Sequence, residues 1–209
     1  MVRVIQPQNV NLIYLKEKFG LQRTDDEPFF TEWFENLPNI NDWEKQYLDR
    51  VKTNYLSLIE RRAISEEMVK MVVLAPLLDL AGFYHPPFDI ETEESVEIAL
   101  EDEGEIVKGR IDVLVFQRQL WLLVIESKNA GFSLITAIPQ ALTYMLGNPH
   151  PERSSFGLVL NGSDFIFLKL TKQDTPQYAL SEQLTLLKRE NELYKVLSIL
   201  KKLSQVLIE

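Results

Sequence analysis

Two apolar, strand-like runs near the middle of the chain place the strongest constraint on what it can fold into. Residues 106–116 and 121–127 are rich in Val, Ile, Leu and aromatic side chains, as β-strands are. The intervening residues 117–120 are few, so we expect an antiparallel hairpin. With 45% apolar residues in 209, the chain can bury a core around this hairpin without disulfide bonds.

Further strands and helices are predicted on both sides of the hairpin. They comprise strands at 95–100, 157–160 and 165–170, and helices at 65–80, 133–146 and 182–208. Ser65 is a suitable N-cap, and Asn161-Gly162 predicts a tight turn. The last helix has too few clean heptads for a coiled coil, so its apolar stripe indicates core packing. Strands clustered between helices predict an α+β, or mixed α/β, fold.

The first sixty residues differ from the rest of the chain. They read as mostly helical, with many aromatic anchors and no catalytic pattern. We therefore expect a helical N-terminal extension over residues 1–60 and a main domain over residues 61–209.

The net charge of −9 is concentrated in one segment. Residues 89–105 contain nine acidic and no basic residues, and outside them 22 acidic residues balance 22 basic ones. Phosphates would be repelled along this segment, which argues against nucleic acid lying there but not elsewhere. We interpret the run as a solvated sheet edge that is protected against aggregation.

Several classes of protein are excluded by composition. The chain has no cysteine, which excludes a thiol nucleophile and a Cys-ligated zinc site. It has no signal-peptide pattern and no apolar run long enough for a membrane span, so we expect a cytoplasmic protein with no membrane partner. It also has no G-x-x-x-x-G-K-[S/T] motif, hence no ATP site of that kind.

Two carboxylates and a lysine interrupt the otherwise apolar hairpin. Glu126 and Lys128 are two residues apart, so a strand directs both side chains to the same face. A symmetric hairpin in which residue 115 faces residue 123 places Asp112 opposite Glu126. Directly opposed residues have Cβ atoms about 4.5–5.5 Å apart, and two like charges that close destabilise a sheet unless a cation lies between them. The pattern therefore predicts a divalent cation, Mg²⁺ with Mn²⁺ as a substitute, bound by Asp112 and Glu126.

This arrangement suits phosphodiester hydrolysis. A divalent ion activates water and polarises a phosphate, while Lys128 can orient or deprotonate the water and stabilise the developing charge. The competing interpretation is a structural Glu126–Lys128 ion pair with Asp112 capping a turn. Buried charges need compensation, so an arrangement with a structural role alone would cost free energy of folding.

Asp112 followed by Glu126-Ser127-Lys128 resembles the D…(D/E)XK signature of the PD-(D/E)XK nucleases. The Gln140 to Tyr144 segment resembles the QxxxY element of the RecB-type branch, with both residues on one helix face. The helix at 65–80 is similar to the one that opens the N-terminal nuclease domain of type I restriction R subunits. The resemblance covers roughly residues 61–175 and leaves residues 1–60 outside.

The resemblance implies a restriction-endonuclease-like core, a central mixed sheet flanked by helices, and metal-dependent cleavage of DNA. It implies a further metal contact from the backbone carbonyl of Ser127, and contributions to the active site from Gln140 and Tyr144. It also implies an acidic residue on the helix at 65–80. Glu66 matches that residue better than Glu67, although helical phase alone does not separate them. Type I R subunits carry an ATP-driven motor, which this chain lacks, so the resemblance is to a stand-alone nuclease module.

Two functions are consistent with these observations. The first is a magnesium-dependent deoxyribonuclease that acts in restriction or DNA processing, as a homodimer or within a larger restriction-type complex. The second is a nuclease-fold DNA-binding or regulatory subunit without cleavage, which the acidity and the lack of a basic stripe favour. His85 and His150, beside prolines, are weak candidates for ligands, and Lys108 and Arg110 for phosphate contacts.

Overall fold

A computed structural model describes residues 3–100, 105–117, 120–173 and 175–206 of the chain. The strands are β1 (Arg3–Ile5), β2 (Gln22–Arg23), β3 (Asp89–Leu100), β4 (Glu105–Gln117), β5 (Leu120–Ser127), β6 (Ser155–Leu160), β7 (Asp164–Thr171), β8 (Gln177–Leu180) and β9 (Leu184–Thr185). The α-helices are α1 (Leu12–Phe19), α2 (Asp42–Ile59), α3 (Glu66–Val69), α4 (Ala75–Leu80), α5 (Leu134–Leu146) and α6 (Leu193–Val206). Short 3₁₀ segments lie at Pro7–Asn9 and Glu27–Trp33.

The strands of the described residues form one nine-stranded mixed sheet in the order β1-β4-β5-β6-β7-β8-β2. Strand β3 pairs with β4, and β9 pairs with β7, off this path. The β5–β6 pair is parallel and is connected through α5. The β4–β5 pair is the antiparallel hairpin that the sequence predicts, and β3 also pairs antiparallel with β4. The fold is therefore mixed α/β, as expected.

Helices cover both faces of the sheet. On one face α2, the α3–α4 helix and α6 bury a core that includes Tyr55, Val73 and Leu197. On the other face α1 and α5 bury a second core that includes Leu15 and Leu142. The apolar stripe of α6 lies in the first core, which confirms core packing for its described residues.

The central hairpin has the predicted register up to a bulge. Val115 pairs with Leu123 and Val113 with Ile125, which brings Asp112 and Glu126 to adjacent positions beyond the last regular pair. The register shifts between Val115 and Phe116, and Gln117 pairs with Leu120. The predicted turn at 117–120 is thus shorter, and its two central residues lie outside the described part of the chain.

The helix predicted at 65–80 is interrupted by a wide turn. Ser65 caps it as expected by accepting a hydrogen bond from the Met68 N–H, but Lys70–Leu74 is a π-helical turn between α3 and α4. The Ala75 N–H donates to the carbonyl of Lys70, five residues back. Pro76 follows directly, and a proline removes a helical donor and crowds the preceding turn. A π turn accommodates such a residue, and π turns are frequent at functional sites.

Two segments differ from the sequence prediction. Residues 1–60 are not only helical, because β1 joins β4 and β2 joins β8 in the sheet. The range predicted as helix from residue 182 contains β9, and α6 begins only at Leu193. There the Glu192 carboxylate accepts a hydrogen bond from the Thr185 N–H at 2.6 Å, which closes a loop in place of a helical turn. The division at residue 60 stays a prediction.

The acidic run contains β3, which pairs with β4 at the edge of the sheet among the described residues. This is the position expected for residues 89–100 of the run, whereas residues 101–104 lie outside the described part. In the described residues we find no helix with both the length and the apolar character needed to cross a membrane.

The predicted turn between β6 and β7 gives the first test of the fold. Gly162 has φ +90°, and a Cβ atom there would lie 2.6 Å from the Tyr55 ring. Gly82, at the end of α4, has φ +84° but open space around it. We expect Gly162→Ala to lower the free energy of unfolding by about 1–3 kcal/mol more than Gly82→Ala does, because the first substitution adds overpacking to the backbone strain. Urea denaturation of both variants measures this difference. Equal losses would show that the Tyr55 contact relaxes without cost.

Candidate active site

Asp112 connects the two central strands where their regular pairing ends. Its side chain is buried, and Oδ2 accepts a hydrogen bond from the Ser127 N–H at 2.7 Å. A charged acceptor with a backbone N–H makes a strong hydrogen bond. Asp112 is therefore held against the segment that carries Glu126 and Lys128.

Glu126 lies at the centre of the site and is only 1% exposed. One carboxylate oxygen, Oε1, forms an ion pair with Lys128 Nζ, as expected for two side chains on the same strand face. The other oxygen, Oε2, is buried and has no hydrogen-bond partner. A buried carboxylate oxygen without a partner is uncommon and requires an explanation.

Lys128 is anchored by its backbone and by its surroundings. Its N–H donates to the carbonyl of Leu160 on the neighbouring strand at 2.8 Å, which continues the β5–β6 pairing. Its ammonium group lies 6.0 Å from the centre of the Phe132 ring. The Phe132 carbonyl in turn accepts a hydrogen bond from the Asn161 side chain at 2.9 Å, which ties this loop to the β6–β7 turn.

The α3 helix directs Glu66, and not Glu67, toward these groups. Glu66 is half-buried and lies 3.2 Å from Lys70 Nζ, and its negative charge acts on Asp112 and Glu126. Glu67 is exposed, and backbone and Ser65 hydrogen bonds at the helix N-terminus lower the pKa of its carboxyl group. Glu66 and Asp112 thus both contact Lys70, whereas the part of Glu66 in the active site stays a prediction.

Two residues beside the site were missed by the sequence analysis. Lys70 Nζ lies 3.3 Å from Asp112 Oδ1 and 3.5 Å from Glu93 Oε1, in addition to its contact with Glu66. One feature of the sequence could have identified Lys70: it is four residues after Glu66 and hence on the same helix face. No feature of the sequence distinguishes Glu93 from the other acidic residues, because nine of them occur in the run at 89–105. This part of the run is therefore more than a solvated edge.

Both central carboxyl groups resist ionisation. Burial, and after it the negative charge of Asp112, raises the pKa of Glu126 to about 8 against the opposing effect of Lys128. Burial also raises the pKa of Asp112 to about 6, although the Ser127 N–H and the ammonium groups of Lys70 and Lys128 act in the other direction. For Lys70 the desolvation is outweighed by Asp112 and Glu66, so its pKa is raised.

Gln140 and Tyr144 lie together on α5, as their spacing predicts. The Gln140 amide donates to the Tyr144 hydroxyl at 3.1 Å. Burial, and then the negative charge of Glu126, raises the pKa of Tyr144. Both residues line a cavity of about 700 Å³ that Lys108 and Arg110 also line.

The histidines take no part in this cluster. His150 Nδ1 lies 3.2 Å from Glu152 Oε1 in a surface contact. His85 follows α4, where its carbonyl accepts a hydrogen bond from the Phe88 N–H. Lys108 forms a surface ion pair with Glu97 at 2.8 Å.

The donor set fits a divalent cation. Oxygen ligands suit Mg²⁺, and Glu126 Oε2 is a buried oxygen that lacks a partner. The cluster of Glu66, Glu93, Asp112, Glu126, Lys70 and Lys128 has two excess negative charges when all six side chains are ionised. Across the described ranges, however, no three Asp, Glu or His side chains are arranged so as to hold a metal together as they stand. The ammonium groups of Lys70 and Lys128 occupy the contacts with Asp112 and Glu126.

The raised pKa of Glu126 predicts how stability depends on pH without metal. A carboxyl group whose pKa is higher in the folded state stabilises the fold below its unfolded pKa and loses that contribution as the pH rises through the folded pKa. For Glu126 the window runs from its ordinary value of 4.5 to about 8. In EDTA we therefore expect Glu126→Gln to gain at least about 1 kcal/mol relative to wild type between about pH 5 and pH 9, since each pKa unit corresponds to about 1.4 kcal/mol.

Urea denaturation across that pH range measures the difference. Glu97→Gln is the control, because Glu97 is half-exposed in a surface ion pair that contributes little. If the profiles of wild type and Glu126→Gln stay parallel, Glu126 does not carry this penalty.

Comparison with known proteins identifies the family of the chain. The family model described as "Type I restriction enzyme R protein N terminus" matches residues 4–176. No curated protein matches the chain. Among solved structures, a fragment described as an HsdR subunit of a type I restriction enzyme from Vibrio vulnificus YJ016 is similar, with 18% sequence identity and a TM-score of 0.41. That match covers 59% of this chain and 24% of the Vibrio chain, so the chain spans about a quarter of that structure's length.

The family match corrects the extent of the resemblance. It begins at residue 4 and so includes most of the first sixty residues, which the sequence analysis left outside. The first sixty residues contribute β1 and β2 to the sheet that carries the site, which is a physical reason for them to belong to the same matched region. With more than half of its length matched, the chain belongs to the family of type I restriction enzyme R protein N-terminal domains, a restriction-enzyme nuclease-like domain.

Proposed function

We propose that this chain is a divalent-metal-dependent nuclease that hydrolyses phosphodiester bonds of DNA, with Mg²⁺ as the cofactor and Mn²⁺ as a substitute. The observation that carries the proposal is Glu126, which is 1% exposed and has a carboxylate oxygen without any partner. Such a group destabilises the fold unless a cation or a proton joins it. A purely structural Glu126–Lys128 ion pair leaves that oxygen unexplained.

Asp112 and Glu126 would hold the metal, with the Ser127 carbonyl as a third ligand. A divalent ion in this position supplies Lewis-acid activation of a water molecule and of the scissile phosphate. The Ser127 N–H keeps Asp112 oriented, because it donates to Oδ2 and leaves Oδ1 for a cation. Glu66 adds negative charge from the helix side of the site.

Lys128 orients the attacking water and stabilises the charge that develops on the phosphate. A positioned ammonium group in a site with little solvent is effective in both roles. Its Nζ is largely buried and is already directed to the Glu126 carboxylate. Gln140 and Tyr144 position the substrate, since their hydrogen-bonded pair lines the adjoining cavity.

DNA is the proposed substrate, and the cavity lined by Arg110, Gln140 and Tyr144 is the proposed path of its backbone. Arg110 and the Gln140 amide there would contact phosphates, and Glu97 of β3, which also lines the cavity, is neutralised by its ion pair with Lys108. In this proposal residues 61–209 carry the nuclease chemistry and residues 1–60 complete the sheet. A homodimer or a larger restriction-type complex is the proposed assembly, and the family's description supports only the restriction-type context.

The second candidate is a DNA-binding or regulatory subunit that does not cleave. The net charge of −9 favours it, because a nucleic-acid-binding surface is ordinarily basic. The two functions differ in one experiment: incubation of the purified chain with supercoiled and linear DNA, with Mg²⁺ or Mn²⁺ and then with EDTA. Cleavage that EDTA abolishes supports the nuclease, and DNA binding without cleavage supports the subunit.

Substitutions in the central cluster separate metal binding from chemistry. We expect Asp112→Ala, Glu126→Ala and Lys128→Ala each to lower cleavage by at least about 100-fold, the range for removing one catalytic group. By calorimetry the two carboxylate variants should lose Mn²⁺ affinity. Lys128→Ala should keep or improve it, because a competing positive charge is removed. Unchanged cleavage by Lys128→Ala would remove that residue from the mechanism, and unchanged metal binding by Asp112→Ala would refute the metal assignment.

Glu66 and Glu67 provide a matched pair on one helix. We expect Glu66→Gln to lower turnover at saturating metal, because Glu66 faces Lys70 and the site, whereas Glu67→Gln stays near wild type. A purely helix-dipole role predicts equal, mild losses of stability of about 0.3–1 kcal/mol for both and no loss of turnover. Single-turnover cleavage and thermal unfolding of both variants distinguish these outcomes. Damage by Glu67→Gln alone would move the assignment to that residue.

A further inference from the structure

Lys70 places a positive charge among three carboxylates of the candidate site. Its Nζ contacts Glu66 at 3.2 Å, Asp112 at 3.3 Å and Glu93 at 3.5 Å, and its side chain is only 21% exposed. No substrate or partner is required for these contacts, because helix α3 and strands β3 and β4 already bring the groups together. Lys70 is thus an internal counter-ion for the acidic side of the site.

The π turn gives this lysine its position. Lys70 is the first residue of the turn, and its carbonyl accepts the hydrogen bond from Ala75 five residues later. Lys70 thus lies at the point where α3 passes into the π turn, and turns of this kind are frequent at functional sites.

A divalent ion and the Lys70 ammonium group compete for the same oxygen. Asp112 Oδ2 accepts the hydrogen bond from the Ser127 N–H, so Oδ1 is the more accessible oxygen for a cation, and Lys70 lies 3.3 Å from it. Mg²⁺ binds carboxylate oxygens at about 2.1 Å, closer than an ammonium group. Two cations on one oxygen repel each other strongly in a partly buried site. Metal binding therefore favours movement of Lys70 away from Asp112.

Glu93 supplies the place to which Lys70 can move. It lies between the β3–β4 pairs Thr92–Val113 and Glu94–Ile111, beside Asp112, and its side chain is 54% exposed. Its φ is +58°, a left-handed conformation that a glutamate adopts inside a strand only at a cost. Strain of this kind concentrates at functional sites. With this backbone conformation the Glu93 carboxylate lies 3.5 Å from Lys70 Nζ, and it is more exposed to solvent than Asp112.

We propose that Lys70 occupies the metal's place on Asp112 in the metal-free protein, and that Glu93 takes over the ammonium group when the metal binds. The inference rests on the proposed metal site and adds a regulation to it: the site exchanges an internal cation for a divalent ion. Lys70 and Glu93 are positioning residues in this exchange. The pair keeps the acidic cluster neutralised before metal arrives and sets the affinity for the ion.

Calorimetric titration of the full chain with Mn²⁺ alone tests the exchange. We expect Lys70→Met to bind Mn²⁺ about tenfold more tightly than wild type, within the usual range of coupling between two sites. Glu93→Gln should bind it several-fold more weakly, because Lys70 loses its alternative partner. In the Lys70→Met background, Glu93→Gln should have no further effect, since Glu93 acts only through Lys70.

Lys108 and Glu97 form the matched control, because they are an ion pair between β4 and β3, the strands that carry Asp112 and Glu93. Lys108 Nζ lies 2.8 Å from Glu97 Oε2. Lys108→Met and Glu97→Gln should leave Mn²⁺ affinity unchanged. Lys70→Arg, which keeps the charge, should stay near wild type, and Lys70→Gln replaces Lys70→Met if the latter does not fold.

Each failure has a different meaning. Wild-type binding together with unchanged affinity in Lys70→Met and Lys70→Gln overturns the exchange and leaves the proposed function intact. Weakening by Glu93→Gln in the Lys70→Met background makes Glu93 a metal ligand and overturns its role here. If neither wild type nor the Lys70 variants bind Mn²⁺, the metal site of the proposed function is wrong, and the exchange falls with it.

Discussion

The burial of two carboxylates between the central strands is the constraint on which the rest of the structure depends. Glu126 is almost fully enclosed, and Asp112 is fixed beside it by the Ser127 N–H. Burying charge without compensation costs several kcal/mol, so a fold that keeps both groups must surround them with cations or protons. The raised pKa values of both carboxyl groups express the same penalty.

The surrounding elements supply that compensation from two directions. Lys128 comes from the same strand as Glu126, while Lys70 comes from the helix that packs across the sheet. The π turn and the left-handed Glu93 are local departures from regular geometry, and both occur where Lys70 meets the acidic groups. Irregular backbone is costly, and here the π turn brings Lys70 to the charged cluster while its residues Val73 and Leu74 pack in the first apolar core. The site is thus organised as a balance of charges between a helix and a hairpin.

Much of the candidate site could be predicted from the sequence because strand geometry is simple. The two-residue period places Glu126 and Lys128 on one face, and the hairpin register places Asp112 near Glu126. Both arrangements are present in the structure. The family resemblance, now shown over residues 4–176, explains why Glu66, Gln140 and Tyr144 were also identified. Their catalytic roles stay predictions.

The sequence by itself determined the mixed α/β fold, the central hairpin and the set of charged residues within it, because apolar periodicity and local turn signals encode them. Only the tertiary structure decided that β1 and β2 belong to the sheet, since strands of two or three residues carry no periodic signal. It also decided that Lys70 and Glu93 meet Asp112. Those contacts join residues that are 42 and 23 positions from Lys70 along the chain, and no local pattern specifies which of many surface charges the folded helix will bring to the strand.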